Sequence, residues 1–330
     1  MKAIIIDKPG VIKLKELPKY PLKKYEVRVK VKCTCICGSD IKIINNPIID
    51  QQIPGHEFSG FIEEKTKEVN GFKIGDRVTA FPMIGCLNCV ECLEKNYRDC
   101  EHKKAVGSHI PGSFSEYINI DSRFLIKLND NISYKDGALI EHLACGYRLT
   151  REIIDHKKCK NNHILIIGDG PIALADLQML LCCGFNNITM IGKHVFRKDM
   201  CKSIGANQVI DLNDIKRIDA SVDICIFAAK ADETLLKVLD YIKPDGIIFP
   251  QVRITDQILL KEINNKKLKF GRAFAYHIND FYKVIDLIIN GAIQTKSLVT
   301  SEIDLFDVNK IVASLSNKHN HMKIMLHNQV

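Results

Sequence analysis

The chain has 330 residues, 46% of them hydrophobic and 26% charged, which excludes an intrinsically disordered chain and leaves room for two domains. The formal net charge is +8, but the lysines are scattered, as at Lys23-Lys24, Lys103-Lys104 and Lys266-Lys267, without the aromatics of a nucleic-acid face. No nucleic-acid partner is expected, only a mild attraction for phosphorylated small molecules.

No stretch reaches the roughly 18 apolar residues of a membrane helix, so no membrane partner is expected. The longest apolar stretch, around 164–185, is interrupted by Asp169, Pro171 and Asp176. The opening run Ala3-Ile4-Ile5-Ile6 is too short for a secretory signal. Thirteen cysteines without an export signal point to a reducing, cytoplasmic compartment, where clustered cysteines bind metal rather than pair. Cys145, Cys159, Cys182, Cys183, Cys201 and Cys225 lie mostly in apolar stretches and read as small core residues.

In chain order, residues 1–80 read as short strands and turns. Val27-Arg28-Val29-Lys30-Val31 alternates with period two, and Gly75-Asp76-Arg77-Val78 turns into a further strand. Cys86-x2-Cys89-x2-Cys92-x7-Cys100 follows, a spacing that lets one loop close a tetrahedral thiolate shell around zinc. Segments 113–120 and 125–128 read as strands and 136–149 as a helix. Beyond residue 150 the pattern changes. Ile164-Leu165-Ile166-Ile167 is a continuous apolar run, expected of a strand buried on both faces. Helix 172–183, strand 188–191, helix 196–204 and strands 224–227 and 246–249 continue an alternation that implies a doubly wound, parallel α/β sheet. The segment from about 285, with 285–289 and 311–315 apolar, is mixed.

Gly168-Asp169-Gly170-Pro171-Ile172-Ala173 lies between the first buried strand and its helix and fits a dinucleotide turn. Its first glycine makes the tight turn, its second admits a pyrophosphate, and the helix start at Pro171 and Ile172 offers free N–H groups to phosphate. The next strand ends in Gly192, Lys193 and His194, with Arg197 one turn on and no carboxylate among them. That composition suits the 2′-phosphate of NADP(H); the competing reading is solvated loop cations and NAD(H). Lys230, after the 224–227 strand, either reaches the cofactor or is exposed.

A reactive metal needs about three protein ligands and an open position. Cys37, His56 and a carboxylate from Glu57 or Glu141 supply that set. Two zinc ions per chain are therefore expected, one structural and one reactive.

Cys37-Gly38-Ser39-Asp40, Gly55-His56-Glu57, Gly75-Asp76-Arg77-Val78, the cysteine loop and Gly168-x-Gly170 stand in the order and spacing of the zinc-dependent medium-chain alcohol dehydrogenases. The resemblance covers essentially the whole chain and is strongest to the sorbitol and threonine dehydrogenase branch. It implies a GroES-like, β-rich catalytic domain over residues 1–148 with its zinc loop at 85–101. It further implies a Rossmann domain over 149–284 and a return of 285–330 to the first domain. Carried over, the reactive zinc ligands are Cys37, His56 and Glu57, with Glu141 holding a water or exchanging with Glu57. Ser39 would begin a proton relay and Asp40 would orient His56. His142 stands where this branch commonly has proline, which makes it a substrate contact or a structural residue.

The implied activity is interconversion of a secondary alcohol and its ketone in a polyol, sugar or sugar phosphate. A small hydroxylated substrate and a homodimer or homotetramer go with it. The polyol-binding arginine of sorbitol dehydrogenases falls near Phe274, with Arg272 close by, and Ala229-Lys230 replaces the usual Thr-Gly. Those departures keep a threonine- or amino-cyclitol-type NAD enzyme in play as an alternative. A zinc-stabilised nucleotide-binding protein without turnover is the non-enzymatic one. Cys89→Ser should loosen the cysteine loop, whereas Glu57→Ala should stop turnover at a smaller thermal cost.

Overall fold

The computed structural model describes residues 1–156, 160–218, 221–229, 232–272 and 276–329. The chain divides into two compact units, Met1–Glu141 with His277–Val330, and His142–Tyr276.

The first unit is built on an antiparallel core of strands, Glu26–Cys35, Glu57–Lys65, Arg77–Ala80 and Leu125–Lys127, with Tyr117–Asp121 added beside Glu26–Cys35. The late strands Val299–Asp304 and Lys323–His327 extend it, because Lys323–His327 pairs antiparallel with the end of Glu26–Cys35. The alternation read at Val27–Val31 is only part of this ten-residue strand, whose far end is buried as Cys33, Thr34 and Cys35. Segment 113–120 forms a strand only from Tyr117. Before that point Phe114 is a core side chain packed with Ile4, Ile53 and Leu326.

The second unit holds a six-stranded, wholly parallel sheet. Its order is Gln208–Asp211, Ile188–Gly192, Ile164–Ile167, Val222–Phe227, Ile242–Pro250, Lys269–Phe270. That is the 3-2-1-4-5-6 order of a dinucleotide-binding sheet, whose crevice opens where the order reverses, between Ile164–Ile167 and Val222–Phe227. Every residue of Ile164–Ile167 is buried, as helices on both faces require. Helices Pro171–Cys182 and Val195–Ile204 follow the first two strands. Helix Tyr134–Asp155 is longer than the 136–149 expectation.

Of the cysteines read as core residues, Cys201 and Cys225 are buried and Cys145, Cys182 and Cys183 half-buried; Cys159 lies outside the described residues. Among the described residues, no helix is long and apolar enough to cross a membrane.

Candidate metal centres and dinucleotide turn

Cys37 sits where strand Glu26–Cys35 gives way to helix Gly38–Asn45, as the N-cap of that helix. Asp40, at the third helical position and fully buried, accepts the Cys37 backbone N–H at 2.8 Å through Oδ2. Its Oδ1 accepts the Gly55 N–H at 3.1 Å and lies 3.3 Å from His56 Nδ1. One carboxylate thus fixes both loops that carry metal-ligand side chains. Burial opposes a charge on His56, but Asp40 outweighs it and raises the imidazole well above its ordinary value.

Gly55 has φ +96°, and a Cβ there would stand 2.3 Å from the Phe114 ring, so only glycine fits before His56. Glu57 opens strand Glu57–Lys65 and is fully buried. The ligand atoms of Cys37, His56 and Glu57 all lie within 4.8 Å of one another. Sulfur, imidazole and carboxylate in that radius form a donor set that fits zinc with a position left for another ligand.

Glu57 also has a partner that sequence reasoning missed. Lys323 Nζ donates to Glu57 Oε1 at 2.6 Å, and Lys323 is 3% exposed. Burial opposes the ammonium charge, yet Glu57 holds Lys323 well above the usual lysine value. Glu141 is buried on helix Tyr134–Asp155 and does not belong to the three-residue cluster. Ser39 is half-buried in the first turn of helix Gly38–Asn45.

The ligand atoms of Cys86, Cys89, Cys92 and Cys100 form a second group, again within 4.8 Å of one another, and no disulfide links them. Cys86 Sγ and Cys92 Sγ are 3.9 Å apart, close to the edge of about 3.8 Å of a tetrahedron with 2.3 Å metal–sulfur bonds. The Asn88 backbone N–H pulls the Cys86 thiol down to about 6, while burial pushes the Cys92 thiol up to about 12. Leu87 at φ +66° and Lys95 at φ +59° make the tight reversals of the loop.

In the second unit Gly168 has φ +132°, and its N–H donates to Ile191 O at 2.9 Å, placing the turn across the ends of two adjacent strands. Gly170 caps helix Pro171–Cys182, with Pro171 at its first position. A Cβ on Gly170 would meet nothing within 4 Å, so the backbone there is open to a pyrophosphate, and the turn fits a dinucleotide. Pro171 and Ile172 are half-buried at that helix start. His142 is buried, and its Nε2 lies 3.1 Å from the Pro171 carbonyl, to which it donates. It therefore braces the turn.

As expected, no carboxylate belongs to the end of strand Ile188–Gly192, but one from the first turn lies against it. Asp169, between the two turn glycines, reaches across to it. Its Oδ2 accepts the backbone N–H groups of Lys193 at 2.8 Å and His194 at 2.7 Å. His194 Nδ1 is 3.1 Å from the same oxygen, and an Arg197 guanidinium nitrogen is 3.9 Å from Oδ1. Gly192 leaves room for this carboxylate rather than only for a cofactor, since a Cβ there would lie 3.0 Å from Asp169 Cβ. Lys193 is exposed, and Lys230 and Phe274 lie outside the described residues.

Residues 23–130 match the alcohol dehydrogenase GroES-like domain. The chain is 31% identical over 218 residues to galactitol 1-phosphate 5-dehydrogenase of Escherichia coli K12, a stretch covering 65% of this chain and 62% of that protein. It is 28% identical over 346 residues to sorbitol dehydrogenase of Bacillus subtilis, covering 99% of this chain and 97% of that one. A solved structure described as a short chain alcohol dehydrogenase from Escherichia coli CFT073, complexed with NADH, superposes with a TM-score of 0.89 at 25% identity, covering 99% of both chains. A parallel dinucleotide-type sheet in one unit, and two candidate metal-ligand clusters in a β-rich other, are the features of a metal-dependent dehydrogenase class. Residues 23–130 carry the GroES-like domain of the alcohol dehydrogenases, and the chain as a whole is similar to medium-chain dehydrogenases named for galactitol 1-phosphate and sorbitol.

Proposed function

We propose that the protein is a zinc- and nicotinamide-dependent oxidoreductase that interconverts a secondary alcohol and its ketone in a polyol, sugar or sugar phosphate. The observation that carries this reading is the cluster of Cys37, His56 and Glu57, positioned through Asp40. The relatives named for galactitol 1-phosphate and sorbitol support the substrate class.

When bound, zinc supplies Lewis-acid polarisation of the substrate oxygen, and the nicotinamide supplies or takes up hydride. The chain's own residues set the conditions. Cys37 and His56 offer sulfur and imidazole donors, and Asp40, facing His56 Nδ1, leaves Nε2 for the metal. Glu57 adds negative charge beside them, which suits a polar, chelating substrate. Ser39, two residues beyond Cys37, is the hydroxyl that would pass a proton outward. Glu141 would act from the neighbouring helix on bound water. Cys86, Cys89, Cys92 and Cys100 would hold a second zinc that closes their loop and leaves no open position. Gly168, Gly170, Pro171 and Ile172 would receive the pyrophosphate.

A panel of sugar phosphates, polyols, amino alcohols and simple aliphatic alcohols, assayed with NAD and NADP, tests the proposal. Turnover of a hydroxyl-rich substrate is expected. A clear preference for ethanol or hexanol would refute the substrate class.

A further inference from the structure

We infer that Asp169 sets cofactor choice, doing from the first glycine turn what an acidic residue at the end of the second strand does in NAD-binding sheets, and that the protein therefore selects NAD(H) over NADP(H). This inference rests on the dinucleotide reading of the second unit and deepens it.

At the edge of a Rossmann sheet, a carboxylate at the second strand's end accepts from the ribose 2′-hydroxyl and repels a 2′-phosphate. The strand Ile188–Gly192 carries no acid of its own at that point, and by composition its end offers cations: Lys193, His194 and Arg197. The geometry changes the sign of that assessment. Asp169 is only 7% exposed, and it accepts the Lys193 and His194 backbone N–H groups and faces His194 Nδ1. These are the donors that an incoming phosphate would recruit. Arg197, the one buried cation of the group, is 3.9 Å from the same carboxylate, which offsets its charge. Lys193 is exposed and remains screened by water.

A 2′-phosphate would therefore have to displace a carboxylate from its hydrogen bonds or accept a like charge beside it. A ribose 2′-hydroxyl, by contrast, can donate to it. Gly192 agrees with this arrangement, since a Cβ there would stand 2.7 Å from Lys198 Cγ and press on Asp169 at 3.0 Å.

The test is direct binding, read by fluorescence titration of the purified full chain with NADH and with NADPH, and by competition with 2′,5′-ADP against 5′-AMP. NADH is expected to bind at least about tenfold more tightly than NADPH, with the competitor pair in the same order. Asp169→Asn keeps an acceptor for the backbone N–H groups but removes the charge. It should cut the NADH-to-NADPH ratio by about tenfold, with a melt taken without nucleotide confirming the fold. Equal or tighter NADPH binding by the unaltered protein would overturn the inference, even if no variant folds. So would an Asp169→Asn protein whose two affinities fall together, which would make Asp169 only a brace of the turn. If neither nucleotide binds, the dinucleotide reading itself is wrong.

Discussion

Lys323 and Glu57 stand 266 positions apart in the chain, yet they form a 2.6 Å ion pair in which both side chains are buried. The pair ties strand Lys323–His327 to the residue that follows His56. Removing one partner of a buried pair leaves the other charge in a poorly solvated place. Lys323→Met should therefore cost about 3–5 kcal/mol in a urea melt, and Lys323→Met with Glu57→Gln should recover much of that loss. Because Glu57 raises Lys323 further above an already high ordinary value, the contribution is fully present below that ordinary value. It is lost only as pH rises through the still higher folded value, so the loss should be flat between about pH 5 and 9.

The same pair changes what Glu57→Ala reports. The sequence alone suggests a small thermal cost for that substitution. With Lys323 buried against it, Glu57→Ala strands an ammonium group and should destabilise by several kcal/mol, on the order of 3–5. Its loss of turnover is then confounded with loss of fold. Cys89→Ser, judged by melting temperature with and without a chelator, remains a clean test of the cysteine loop. The substitution should lower the melting temperature of the untreated protein and leave little further effect of chelator.

Asp176 is fully buried in helix Pro171–Cys182. Gln251 Nε2 donates to its Oδ1 at 2.9 Å, and Oδ2 has no hydrogen-bond partner among the described residues. Burial raises its pKa well above the ordinary 3.8, against a smaller lowering by Gln251. In the window above 3.8 the native state keeps a proton that the unfolded chain has released, so stability falls as pH rises through it and levels off above the folded value. Asp176→Asn should accordingly stabilise the protein at neutral pH by roughly 1–3 kcal/mol and remove that slope. Parallel melts across acidic to neutral pH give the comparison, and a variant less stable than the parent at pH 7 would contradict it.

Gly55→Ala should disturb the reactive cluster without touching a ligand. The new methyl would meet the Phe114 ring at 2.3 Å, at a backbone φ of +96°. Overpacking of this kind costs about 1–3 kcal/mol, and His56 would be pushed off Asp40. Zinc content measured on the purified variant should fall below that of the parent, and an unchanged content would contradict this.

What was legible in the chain was local. The run Ile164–Ile167 and the Gly168 turn declare themselves because a two-faced buried strand must be continuously apolar and a tight turn must be glycine. The cysteine loop is readable because all four sulfurs come from one short segment. Lys323 was not readable, since Lys-Ile-Met-Leu looks like any strand with a lysine turned to solvent, and only the sheet pairing brings it to Glu57. Asp169 occupies a place that the glycine motif leaves unspecified, so composition at the end of the next strand gave no sign that a carboxylate reaches the Lys193 and His194 N–H groups. Helix Gly38–Asn45 escaped notice because its eight residues bury only Asp40 and Ile44.

The central claim is that Cys37 and His56 hold a reactive zinc distinct from the one held by the four-cysteine loop. Elemental analysis of the full chain beside its Cys37→Ser and His56→Ala forms tests it most directly. About two zinc ions per chain are expected for the parent and about one for each variant. Unchanged zinc content in both variants would contradict it.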